Sequence, residues 1–271
     1  MDDLVAFARL VEALAPWRGE IIIVGGWAHR LHRLDSRATV PPHAPLVTRD
    51  VDIGFSLARR TRGSIRHALL KAGFVEELTG EHVPPVSHYS LGVDGGGFYA
   101  EFLAPLTGSG ARRDGSSDAT ETRAGVTVQK LRHLDLLLTA PWTIRLSGSV
   151  GVPVAAPVDL LVANPVSFMS QKLLIRGERD SRKQAQDVLY IHDTLELFGA
   201  SLPALRSSWR NVLRGTLSRR NAEAVERVCV DAFAEANDAI RRAARLPVDR
   251  RLDPESLRAA CAYGLGEIFG R

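Results

Sequence analysis

The run EIIIVGG, Glu20 to Gly26, constrains the fold more than any other stretch of the chain. Three isoleucines and a valine in succession read as a buried strand. Two glycines follow at once, and Trp27 to Leu34 then has helical spacing. A strand that turns directly into a helix commits the chain to layered α/β packing. Glycines placed there let the backbone approach a ligand closely, and the new helix offers unpaired N–H groups to an anion. A phosphate is the natural occupant of Gly25 and Gly26; a plain tight turn is the other reading.

The rest of the chain extends this pattern. Leu4, Phe7, Ala8, Val11 and Leu14 recur at helical spacing up to Pro16. TVPPHAPL is a loop, because its prolines forbid regular structure. TRDVDIGFS reads as a strand, and RGSIRHALLKAGF as a helix that stops at Gly73. HYSLGVDGGGFYAEFLAPL has the pattern of a hairpin turning at Asp94-Gly95. TGSGARRDGSSDATE is a polar loop, and its G-x-G lies outside any strand-to-helix turn, which excludes a dinucleotide-binding motif. A strand near GVTVQK, a helix near LRHLDLLLT and strands at WTIRLS and GVPVAA follow. Beyond these the period is helical, with breaks at Gly199, Pro203, Pro247 and Pro254. The expectation is an α/β domain over 1–157 and an all-helical domain over 158–271.

The chemistry is concentrated in Asp50-Val51-Asp52-Ile53-Gly54-Phe55. Strand side chains alternate between faces, so Val51, Ile53 and Phe55 share one face and Asp50 and Asp52 the other. Two adjacent carboxylates repel unless a cation neutralises them. Mg²⁺ accepts one or two carboxylates together with water and phosphate oxygens. FYAEFLA alternates too and puts Glu101 among apolar neighbours, where a third carboxylate needs a partner. A shared metal is one answer, and a solvent-facing edge strand is the other. Lys172 and Arg176 lie one helical turn apart, as do Lys183 and Asp187.

Composition sets the outer limits. The 271 residues are 45% hydrophobic and 24% charged, and no apolar run reaches the roughly 20 residues of a membrane helix. The amphipathic, acidic beginning is unlike a signal or transit peptide, so a cytoplasmic protein is expected. Cys229 and Cys261 have the helical context of buried thiols and no metal-ligand spacing. Only four of 35 basic residues are lysine, and the net charge of +4 permits an anionic partner without requiring one. His29 and His32, interleaved with arginines, read as surface residues. Trp27 reads as core beneath the glycine turn.

The segments VGGWAHRL, TRDVDIGF and FYAEFLAPL together resemble the nucleotidyltransferase fold of the DNA polymerase beta superfamily. SFMSQKLLIRGERDSRKQAQDVLYI is similar to the second motif of its AbiEii and MenT-type toxin branch. The resemblance, over about residues 20–195, implies an α/β (α+β) domain with a mixed sheet followed by a helical region. It implies transfer of NMP from an NTP to an acceptor hydroxyl, with Mg²⁺ or Mn²⁺ as cofactor. Gly25 and Gly26 would hold the triphosphate, and Asp50, Asp52 and Glu101 the metal. Lys172 would contact a phosphate with Asp187 as its acidic partner, and Arg176 and Lys183 would join the nucleotide-binding set. The stretch between Gly26 and Asp50 is longer than in compact members, which inserts a proline-rich loop beside the site. The third acid is Glu where many members have Asp, with Asp94 as the alternative. The branch points to RNA, at the tRNA 3′ end, as acceptor and to a cognate antitoxin as partner. Arginines in RSSWRNVLRGTLSRR and RRAARLPVDRR, and Arg112-Arg113, are the candidate RNA grips. A small-molecule acceptor such as an antibiotic, a protein acceptor and an inactive NTP-binding module are the rivals.

Overall fold

The computed structural model describes residues 3–56, 61–91, 97–111 and 115–270. The chain divides into two compact units, Met1–Leu34 with Val47–Ala163, and Asp35–Leu46 with Asn164–Arg271. The boundary expected after residue 157 falls elsewhere, because residues 158–162 are a strand of the first unit and residues 35–46 go with the second.

The first unit runs α1 (Asp3–Ala13), β1 (Ile21–Val24), α2 (Gly25–His32), β2 (Asp50–Phe55), α3 (Ile65–Lys71), β3 (Val75–Thr79) and β4 (Val86–Leu91). It continues with β5 (Phe98–Pro105), β6 (Thr120–Arg123), β7 (Val126–Leu131), α4 (Leu134–Leu137), β8 (Trp142–Leu146) and β9 (Val158–Val162). One mixed sheet has the order β3-β4-β5-β2-β1-β9-β8, with β7 pairing β5 and β6. β2–β5, β1–β9 and β5–β7 are parallel, and the other pairs are antiparallel. β1 lies between β2 and β9, and all four of its residues are buried, as an unbroken β-branched run requires.

Alternation along β2 and β5 divides the sheet into a dry face and a polar face. Val51, Ile53, Phe55, Ala100 and Phe102 are buried on the first, where Phe55 lies 5.8 Å from Phe102 and Tyr89 meets Phe102 edge-on at 5.9 Å. Helical Phe7 stacks on Trp27 at 4.2 Å, and Trp27 meets Phe98 edge-on at 5.7 Å, so Trp27 is core as expected. Each such buried aromatic side chain stabilises the fold by roughly 1.5–3 kcal/mol. Asp50, Asp52 and Glu101 are half-buried on the opposite face.

Several local expectations need correction. His29 and His32 are fully buried rather than at the surface, and the His32 Nε2 lies 2.7 Å from the Ala163 carbonyl. GVPVAA is not a strand: Pro153 and Pro157 remove two donors, Val152 and Val154 close a tight turn, and the strand is Val158–Val162 instead. β6, which begins in the last two residues of the expected polar loop, pairs β7 through a two-residue turn at Ala124 and Gly125, both at positive φ. β3 is an edge strand and largely exposed.

The second unit contains α5 (Pro165–Ile175), α6 (Ser181–Leu197), α7 (Leu202–Ser208), α8 (Arg219–Asp231), α9 (Asp238–Ala243) and α10 (Pro254–Phe269). Five of them begin at a side chain that accepts a backbone N–H: Asn164, Asp180, Ser218, Asn237 and Asp253. Pro203 and Pro254 stand in the first turns of α7 and α10 and so open helices, where a missing N–H is harmless. α10 packs against α6, α7, α8 and α9. Cys229 and Cys261 are buried free thiols, and burial pushes Cys229 up to about 11. The proline-rich segment ties to this unit: the Thr39 amide donates to the Leu197 carbonyl at 2.8 Å and the Ala44 amide to Asp249 at 2.7 Å. No helix among the described residues is long and apolar enough to cross a membrane.

Candidate metal centre

Strand register builds the site. Val24 is paired with Asp52, Asp52 with Glu101, and Glu101 with His88. One row of the polar face therefore carries Asp52, Glu101 and His88, and the neighbouring row carries Asp50, Tyr99 and Ser90. Carboxylate oxygens of Asp50, Asp52 and Glu101 all lie within 4.8 Å of one another. Three negative charges so close are unfavourable unless a cation joins them.

The turn after β1 is shaped around this cluster. Gly25 has φ +62, and a Cβ at this position would overlap the Asp52 carboxylate. Glycine is therefore required twice, by the backbone and by the close approach. The helix starts at Gly25 itself, two residues before the sequence suggested. Gly26 forms the next residue of that first turn.

The neighbours of the carboxylates are polar and specific. The Thr48 hydroxyl donates to Asp50. His88 Nε2 lies 3.3 Å from Glu101 Oε2, and its ring stacks on Tyr99 at 5.2 Å. The hydrogen bond to Glu101 raises the His88 pKa, against the opposing effect of burial. Burial first, then the negative charges of Asp50, Glu101 and Asp52, push the Tyr99 phenol up to about 12, so it keeps its proton at neutral pH. Alternation in FYAEFLA already puts Tyr99 on the face of Glu101, whereas the place of His88 beside Glu101 depends on cross-strand register.

The donor set fits a hard divalent cation. All three ligands are carboxylates, the preference of Mg²⁺ and Mn²⁺, and the missing Cβ at Gly25 leaves room beside Asp52. A second group, His43, Asp193 and Glu196, also comes together in the helical unit. There Asp193 is already neutralised by Arg250 at 2.5 Å and lies 3.0 Å from His192, so the protein supplies the cation itself.

The other expected site residues lie in the helical unit. Lys172 is buried, donates to Asp187 at 2.5 Å, and has its ammonium 4.6 Å from the centres of both the Phe168 and Tyr190 rings. Arg179 joins Asp187 at 3.5 Å. Arg176 is half-buried, and desolvation lowers its pKa against the opposing charge of Asp187. Lys183 is exposed in the first turn of α6, where its amide donates to Asp180. Asp187 thus turns toward Lys172 and Arg179. Asp94 and Arg112-Arg113 lie outside the described residues.

A mixed sheet with three carboxylates gathered beside a glycine turn is consistent with a nucleotidyltransferase-like domain. The particular family follows from comparison: a nucleotidyltransferase family model matches residues 2–214, and the chain belongs to that family. No curated protein matches the chain.

Proposed function

We propose that the protein transfers a nucleoside monophosphate from an NTP to an acceptor hydroxyl, using Mg²⁺ or Mn²⁺ held by Asp50, Asp52 and Glu101. The observation that carries this reading is the convergence of the three carboxylates within 4.8 Å beside Gly25. A divalent cation bound there supplies neutralisation of the triphosphate and activation of the attacking hydroxyl. Gly25 and Gly26 let the backbone approach the triphosphate, and the first N–H groups of α2 suit an anion. The Thr48 hydroxyl orients Asp50. Tyr99 keeps its proton and adds no further negative charge.

The resemblance to the AbiEii and MenT-type branch adds Lys172, Arg176 and Lys183 as phosphate contacts, with Asp187 holding Lys172. The same resemblance favours RNA, at the tRNA 3′ end, as acceptor and an antitoxin as the regulating partner. Exposed arginines support this choice: Arg210 and Arg220 are both solvent-facing. Others of the group are neutralised within the protein, Arg214 by Glu226 and Arg219 by Glu223, each at 2.8 Å. The test is incubation with each labelled NTP and Mg²⁺ against a panel of acceptors: total cellular RNA, an aminoglycoside and purified protein. Labelled RNA supports the reading. Label on an aminoglycoside or a protein, with none on RNA, removes the RNA acceptor and keeps the transferase.

A further inference from the structure

Glu101 differs from Asp50 and Asp52 in the length of its side chain. It reaches from β5 on a longer and more flexible side chain than Asp50 or Asp52, and such a ligand must be ordered before it can share a cation. The sheet provides a means. Glu77, His88, Glu101 and Asp52 are successive partners across β3, β4, β5 and β2, so their side chains form one row on the polar face. His88 stands between Glu77 and Glu101, with Nε2 at 3.3 Å from Glu101 Oε2. Its ring is stacked on Tyr99 with an interplanar angle of 30°. Glu77 in turn accepts a hydrogen bond from Ser90 at 2.7 Å, which fixes the far end of the row.

We propose that His88 is a positioning residue: its Nε2–H holds the Glu101 carboxylate where it shares a divalent cation with Asp50 and Asp52, while Tyr99 fixes the imidazole ring. This role rests on the metal reading given above. Carboxylate ligands are themselves held by hydrogen bonds, and losing such a partner commonly weakens metal affinity 10- to 100-fold. Tyr99 contributes through ring contact, so its hydroxyl is not needed and a phenylalanine serves equally.

The test is a Mn²⁺ titration of the full-length protein, following the free ion by electron paramagnetic resonance, with no nucleotide present. Wild type, Asp52→Asn, His88→Leu, His88→Gln and Tyr99→Phe are compared, with circular dichroism as the check on folding. Asp52→Asn is expected to abolish the tight site. His88→Leu is expected to raise Kd about tenfold or more, His88→Gln to recover most of the loss through its amide N–H, and Tyr99→Phe to match wild type. His88→Ser replaces His88→Leu if the latter misfolds, with the same expectation. Wild-type or tighter binding by the His88 variant overturns the positioning role and leaves the metal centre intact. Equal binding by wild type and Asp52→Asn overturns the metal centre itself, and the role of His88 with it.

Discussion

Asp50, Asp52, Glu101 and Gly25 are the residues on which the metal centre depends. Asp50→Ala and Asp52→Ala should each abolish transfer and leave a folded, metal-free protein no less stable than wild type, because one repelling carboxylate is gone. Thermal melts beside activity assays check both halves, and near-wild-type transfer by either variant contradicts the assignment. Gly25→Ala should do more damage than its size suggests. It costs about 1–2 kcal/mol for the left-handed backbone, and its methyl group also displaces the Asp52 carboxylate. Denaturant unfolding and transfer assays should show both losses, whereas Gly19→Ala, with open space around its Cβ, should show neither. The two aspartates and Glu101 were legible because strand alternation is a local property. The same alternation puts Tyr99 on the face of Glu101, but the place of His88 was not legible, since it depends on which strands pair and in which register. His29 and His32 were misread because interleaved arginines masked a helix buried on the side that carries them.

At the scale of elements, the buried pair between α5 and α6 gives a prediction that separates stability from function. Lys172→Ala removes the 2.5 Å partner of buried Asp187, leaves it only the weaker charges of Arg179 and Arg176, and should destabilise the helical unit by about 3–5 kcal/mol. The double replacement Lys172→Met with Asp187→Leu should recover much of that stability, because no uncompensated charge remains. If Lys172 also contacts a phosphate, the double variant regains its melting temperature but not NTP use; recovery of both makes the pair purely structural. The helix caps predict a pH dependence. Hydrogen bonds from backbone amides lower the pKa of Asp180 and Asp253 below the usual carboxylate value. Their contribution is therefore complete above the unfolded-state pKa and lost as pH falls through the folded one. The stability gap between wild type and Asp253→Ala should be full at neutral pH and shrink in acid, as urea titrations at several pH values would show. Elements with strong periodicity, such as β1, β2 and α3, were readable from the sequence. β3 and β6 were not, because their mostly polar residues form strands only through pairing with β4 and β7.

At the scale of the whole molecule, the sequence disclosed the change from a mixed sheet to helices but not the membership of the units. A proline-rich stretch between α2 and β2 gives no sign that its hydrogen bonds lie with Leu197 and Asp249. The arginine excess likewise overstated the charge open to a partner, since Arg214, Arg219 and Arg250 meet carboxylates within the protein. RNA binding should weaken steeply with salt, and Arg210→Gln or Arg220→Gln should each reduce the log–log slope by about 0.7–1, more than Arg214→Gln or Arg219→Gln. Filter binding over a salt series measures these slopes. Pyrophosphate release measures whether the three carboxylates hold a metal that performs nucleotidyl transfer. Wild type, Asp50→Asn and Asp52→Asn are assayed with each NTP and RNA, with and without Mg²⁺. Release with at least one NTP is expected to require Mg²⁺ and to fall to background in both variants. Release that continues in either variant, or without a divalent cation, would contradict the metal centre.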